Sequence, residues 1–143
     1  MSFIHSPQRR WLDIAVGIVL FSLLFFGTTF IIHLNEDARQ VQLGSELAMR
    51  GQQISTSEGC VACHTVDGSP GVGPSWLGMW GREEKLTDGR TVVVDEAYFR
   101  RSLREPRVDV VEGYPNVMLF YFLPDEDIEA LIAFAKSLSP GAE

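Results

Sequence analysis

Cys60-Val61-Ala62-Cys63-His64 places two thiols three positions apart, with an imidazole directly behind the second. Cys-x-x-Cys-His is the pattern through which a haem c is attached. The two thiols add to the two vinyl groups of one porphyrin and become thioethers. The next residue then lies beneath the iron and supplies a nitrogen ligand, as a proximal histidine does. Cys60 and Cys63 are therefore expected to hold one covalent haem c, with His64 on its iron. Other uses of the pair fit less well. A disulfide there would close a very small loop and gain little chain entropy. A thioredoxin-like dithiol needs a strand–helix–strand setting, which the flanking sequence lacks. A zinc site needs further ligands, and the remaining histidines, His5 and His33, both precede residue 35.

The second axial position separates an electron carrier from an open haem that binds substrate or gas. Methionine is the usual partner in electron-transfer haem c and raises the potential. Met49 stands on the segment just before the motif, and Met79 follows His64 by only 15 residues. Met118 lies in a loop far enough along the chain to wrap to the opposite face. Met118 is the expected second ligand, with plain packing as the other role open to a methionine. With both positions filled, the centre is a one-electron relay. Were Met118 not a ligand, a five-coordinate haem enzyme or sensor would be the alternative.

Upstream, residues 14–32 read IAVGIVLFSLLFFGTTFII, 19 residues without charge or proline. A spanning helix needs roughly 17–25. Hydroxyls of Ser22, Thr28 and Thr29 are tolerable there because they can bond back to helix carbonyls. Arg9 and Arg10 precede the stretch, and Glu36 and Asp37 follow it. Excess Arg marks the cytoplasmic side, so a single-pass anchor in a bacterial cytoplasmic membrane is expected. Its N-terminus would lie inside and everything after Leu34 on the periplasmic or outer side. Trp11 stands where an interface anchor would. A cleaved signal would have a shorter apolar core, about 7–15 residues, ending in small residues. The expected division is 1–34 for the cytoplasmic tip and anchor, 35–43 for a polar linker open to being helical, and 44–143 for the exported domain.

Net charge is −7, and residues 1–34 carry +1, so the remainder carries −8. Phosphate contacts need Lys and Arg, so nucleic acid is not an expected partner. An acidic domain suits a protein partner with a basic docking patch.

Within the domain, Leu47, Ala48, Gly51 and Ile54 share one face of a helix expected over 44–55. GSPGVGP at 68–74 reads as a loop, and residues 76–80 as a short helical turn. Asp88-Gly89 before Thr91-Val92-Val93-Val94 suggests a small hairpin. Asp95 suits the N-cap of a helix reaching about Arg104, stopped by Pro106. Residues 105–124 are expected to be mostly loop. A last helix is expected over 125–138, with acidic residues at its start and Lys136 near its end.

The order Gly51-x-x-Ile54, Gly59-Cys60-x-x-Cys63-His64, Gly73-Pro74, Gly113-Tyr114-x-x-x-Met118 and a C-terminal amphipathic helix resembles class I cytochrome c over about residues 44–139. The resemblance implies an all-α domain of three to four helices around one haem, which would follow the single transmembrane helix expected from the apolar stretch. It implies that the Pro74 carbonyl orients the His64 ring. It also implies that the first and last helices cross with Gly51 near Leu131 and Phe134. CVACHTVDGSPGVGPSWLGMWGRE, LTDGRTVVVDEAYFRRSL and VVEGYPNVM are very similar to the cytochrome domain fused behind subunit II of certain haem-copper cytochrome c oxidases. This chain departs from that pattern in having no cupredoxin domain, in Leu119-Phe120 where prolines are usual, and in Pro124 at the cap of the last helix. The implied partners are the membrane, integral subunits of a respiratory complex and redox proteins, with electrons passing from a quinol-oxidising complex to a terminal oxidase. The small subunit of a nitric oxide reductase or of an alternative quinol-oxidising complex would share the layout.

Overall fold

A computed structural model describes residues 7–139 and 141. The chain divides into two compact units, Met1–Gln42 and Leu43–Glu143. Among the described residues the elements are α1 (Pro7–Ser57), a 3-10 turn (Cys60–Ala62), β1 (Glu83–Lys85), β2 (Thr91–Val93), α2 (Glu96–Arg104) and α3 (Asp125–Ser137). The protein is thus mostly helical, with one two-stranded hairpin.

In the first unit, α1 carries the apolar stretch. It is long and apolar enough to cross a membrane, with a mean hydropathy of 2.4 and no part of that stretch buried within the protein. Thr28 and Thr29 donate their hydroxyls to the Phe25 carbonyl at 2.9 and 3.1 Å, so neither leaves a polar group bare on the helix. Residues 35–43 continue the helix, and the expected start at Gly44 does not exist as a boundary. Ala38, Arg39, Gln40 and Gln42 are good helix formers, and no proline interrupts them.

In the second unit the end of α1 packs on α3 at backbone contact. A Cβ built on Gly51 would lie 1.9 Å from the Ala130 carbonyl oxygen and 2.8 Å from Cβ of Phe134. Only hydrogen fits between the two helices there. Gly51→Ala is therefore expected to force them apart and cost about 1–3 kcal/mol or more, read as a lower guanidinium midpoint of the holoprotein with an unchanged slope. Arg50 and Asp127 pair beside this crossing at 2.5 Å.

The α3 face with Ile128, Leu131, Phe134 and Ala135 is buried against Phe99 and Leu103 of α2 and against Trp76. Trp76 meets Phe99 and Phe134 edge-on, at 5.6 and 6.0 Å between ring centres, an arrangement that aromatic quadrupoles favour. Asp95 caps α2 by accepting from the Tyr98 N–H at 2.8 Å. Pro124 precedes α3 without a side-chain cap, and Asp125, Glu126 and Asp127 complement the helix dipole instead. β1 and β2 pair antiparallel with Glu84 opposite Val92, and Gly89 turns between them at φ 88°. Leu86, fully buried, bridges to Val111 and ties this hairpin to the long loop.

Residues 76–80 form turns rather than the expected helical piece. Gly78 and Gly81 take φ of 65° and 77°. These left-handed conformations end a helix before it can propagate.

Candidate functional site

The motif owes its shape to where α1 stops. Gly59 adopts φ 76°, reversing the chain directly after the helix. The next residues wind tightly, with the Cys63 and His64 N–H groups both donating to the Cys60 carbonyl, at 3.2 and 2.9 Å. This turn buries Cys60, leaves Cys63 exposed and half-buries His64. Burial pushes the Cys60 thiol above its ordinary pKa, because the anion loses its water.

His64 is held from behind. Its Nδ1 lies 2.8 Å from the Pro74 carbonyl oxygen. A carbonyl only accepts, so Nδ1 carries the proton and Nε2 keeps its lone pair free. Burial lowers the imidazole pKa, and the Pro74 bond partly opposes that, so the ring is neutral and ready to ligate. The ring also stacks near Trp76 at 5.7 Å. Gly73 lies flat against it, since a Cβ at Gly73 would come within 2.5 Å of Cε1. The Gly73 N–H in turn donates to the Cys63 carbonyl at 3.0 Å. The glycine-rich loop is thus a close-fitting backing for motif and ligand together.

Cys60, Cys63, His64, Pro74 and Met118 all line one cavity of about 330 Å³. Met118 is half-buried and packs on the core from the loop 105–124. Met49 is 56% exposed on α1 and stands away from this cavity. Met79 is buried in the core, where its side chain packs while also reaching the cavity wall. The five residues expected to hold and orient a haem thus share one cavity, and of the three candidate methionines Met49 alone stands outside it.

Several charged and hydroxyl-bearing lining residues were not foreseen. Arg82, Glu84, Tyr98 and Asp109 are among them, and all four line the cavity. Asp109 has only 1% of its side chain exposed and receives Arg90 Nη2 at 2.9 Å and Arg101 Nε at 2.5 Å. The Tyr98 phenol is pushed up by burial, then by Glu84 and Asp109 nearby. No local pattern marks Asp109, because its partners lie 19 and 8 residues away along the chain.

The donor set fits a haem c. Two thiols and an unprotonated imidazole nitrogen stand on one stretch of wall, a thioether sulfur stands on another, and the walls between are largely aromatic or aliphatic. No buried side-chain nitrogen or oxygen among the described residues is left without a partner. The apolar space therefore requires no polar ligand deep inside.

A sequence profile described as Cytochrome c matches residues 48–139. The protein named Cytochrome c2 iso-2 of Magnetospirillum fulvum is 37% identical over 90 residues, covering 55% of this chain and 91% of that one. Its namesake in Magnetospirillum molischianum is 33% identical over 90 residues, covering 55% of this chain and 90% of that one. The chain belongs to the cytochrome c family. As a class I cytochrome c it carries covalently bound haem c and works as an electron carrier. The apolar stretch 14–32 of α1 lies outside the matched residues, as does the polar stretch 35–43.

Proposed function

We propose that this cytochrome c is a membrane-tethered one-electron carrier, with Cys60 and Cys63 as thioethers and His64 and Met118 as the two axial ligands. Haem c supplies a one-electron iron couple when bound. The protein's residues do the rest. Pro74 fixes the His64 tautomer and ring plane, Gly73 and Trp76 keep that ring from swinging, and the apolar walls exclude water. A sulfur ligand opposite the imidazole would raise the potential and leave no position for a substrate. The observation that carries this reading is one cavity lined at once by the motif's donors and by Met118. The five-coordinate enzyme or sensor loses ground for the same reason.

The apolar stretch of α1 supports a single-pass anchor, with Arg9 and Arg10 inside and the haem domain on the periplasmic face. A tether keeps the redox centre at high effective concentration beside membrane partners. The stretches resembling the domain behind oxidase subunit II favour a haem-copper terminal oxidase as electron acceptor, through a surface with a basic docking patch.

The test is made on native membranes. After an alkaline carbonate wash the chain, traced by haem staining of a denaturing gel, is expected to stay in the pellet. On a native gel it is expected to comigrate with an oxygen-reducing, cyanide-sensitive complex. Release by the wash would overturn the anchor. Comigration with a nitric oxide-reducing or quinol-oxidising complex would replace the oxidase as partner.

A further inference from the structure

Met118 sits in a segment with no regular structure, so something must hold its sulfur in place. Among the described residues, the hydrogen bonds joining residues 115–123 to the rest of the fold come from one residue, Tyr121. Its N–H donates to the Leu103 carbonyl at 3.0 Å, and its hydroxyl donates to the Glu58 carbonyl at 3.3 Å. The other bond in this span, from the Val117 N–H to the Pro115 carbonyl at 2.9 Å, is internal to it. The neighbours of Met118 give little support. Val117, Leu119 and Phe120 are 58%, 68% and 60% exposed. Tyr121 itself is half-buried, lines the cavity and packs on the core.

The two acceptors matter as much as the donor. Leu103 is near the end of α2, while Glu58 lies between the end of α1 and the haem motif. Tyr121 therefore stretches from the helix packed on α3 to the start of the turn that carries Cys60.

We infer that Tyr121 is a positioning residue: it latches the Met118 segment to both sides of the cavity and so sets how often the methionine sulfur leaves its place. The inference rests on Met118 being an axial ligand. It adds that the hold on this ligand depends on a tyrosine three residues away, bonded to the far side of the attachment motif. A loop fixed at few points opens locally at far lower cost than the whole domain unfolds.

The experiment measures sulfur departure on the holoprotein in two ways. One is the rate of carbon monoxide binding to the reduced form, which requires the ligand to leave. The other is the weak far-red absorption band that thioether ligation gives the oxidised form, followed on mild warming below the unfolding transition. Tyr121→Phe keeps the ring and loses the hydroxyl bond, and is expected to bind carbon monoxide about fivefold faster, as loss of one hydrogen bond allows. Tyr121→Ala also loses the ring contacts and should bind faster still, with the band fading at lower temperature. Met118→Ala is the control. If it leaves band and binding rate as in wild type, the ligand assignment fails. If it abolishes the band while Tyr121→Phe and Tyr121→Ala both behave as wild type, the latch is wrong and the assignment stands. A purely structural tyrosine would lower the unfolding temperature and leave both readouts in place, which also overturns the latch. Should Tyr121→Ala not fold, Tyr121→Phe decides alone.

Discussion

Met118→Ala is expected to abolish the far-red band of the oxidised protein, open the reduced protein to fast carbon monoxide binding, and lower the midpoint potential. The reasoning is structural. Met49 is exposed on α1 outside the cavity, and Met79 is fixed in the core by its neighbours. Neither can take over the vacated position without unpacking a helix or the core. No histidine lies in the second unit besides His64. Axial ligands command a range of roughly 0.8 V across haem proteins, and a thioether favours the reduced state. A fall on the order of 0.1 V or more is therefore expected by redox titration of the purified variant. Attachment through Cys60 and Cys63 should persist, so haem staining after denaturation remains positive. A variant whose spectrum and potential match wild type would remove Met118 from the iron and restore the five-coordinate reading.

Replacing both Arg90 and Arg101 by Ala is expected to destabilise the holoprotein by about 3–5 kcal/mol, because it strands the buried Asp109 carboxylate. Asp109→Asn should cost less, about 1.5–3 kcal/mol, the scale of hydrogen bonds to charged groups. The asymmetry follows from exposure. Asp109 is sealed, whereas the side chains of Arg90 and Arg101 are 51% and 37% exposed and can turn to water when their anion is removed. Guanidinium unfolding of the three holoproteins checks the order. A larger loss for Asp109→Asn than for the double arginine variant would mean that the carboxylate is not the group at risk. The consequence reaches the site, since Asp109 lines the cavity and the two arginines tie it to the hairpin and to α2.

Much of the site was legible along the chain because its donors are local. Cys60, Cys63 and His64 lie within one turn, and Gly73-Pro74 follow closely enough to pack behind them. Asp95 and the acidic run at 125–127 marked α2 and α3 by the same local logic of caps and dipoles. The hairpin was legible from Asp88-Gly89 and the β-branched run behind it. Reading failed where an element's edge depended on its context. The helix start expected at Gly44 is absent because residues 35–43, read as a polar linker open to being helical, carry α1 straight through. Residues 76–80 looked helical, but two glycines took left-handed conformations and broke the turn.

The amino-acid order alone pointed to the chemistry proposed for this centre: a pentapeptide can offer two thiols and an imidazole to one porphyrin because thioether spacing and ligand reach are satisfied within a few covalent bonds. Folding in three dimensions decided what surrounds that centre. It left Met49 exposed on α1, buried Met79 in the core and set Met118 on the cavity wall from a distant loop. It paired Asp109 with arginines 19 and 8 residues away. It also carried the Tyr121 hydroxyl to a carbonyl 63 residues upstream. Those choices depend on packing between distant segments, and no local pattern encodes which of several equivalent side chains will meet.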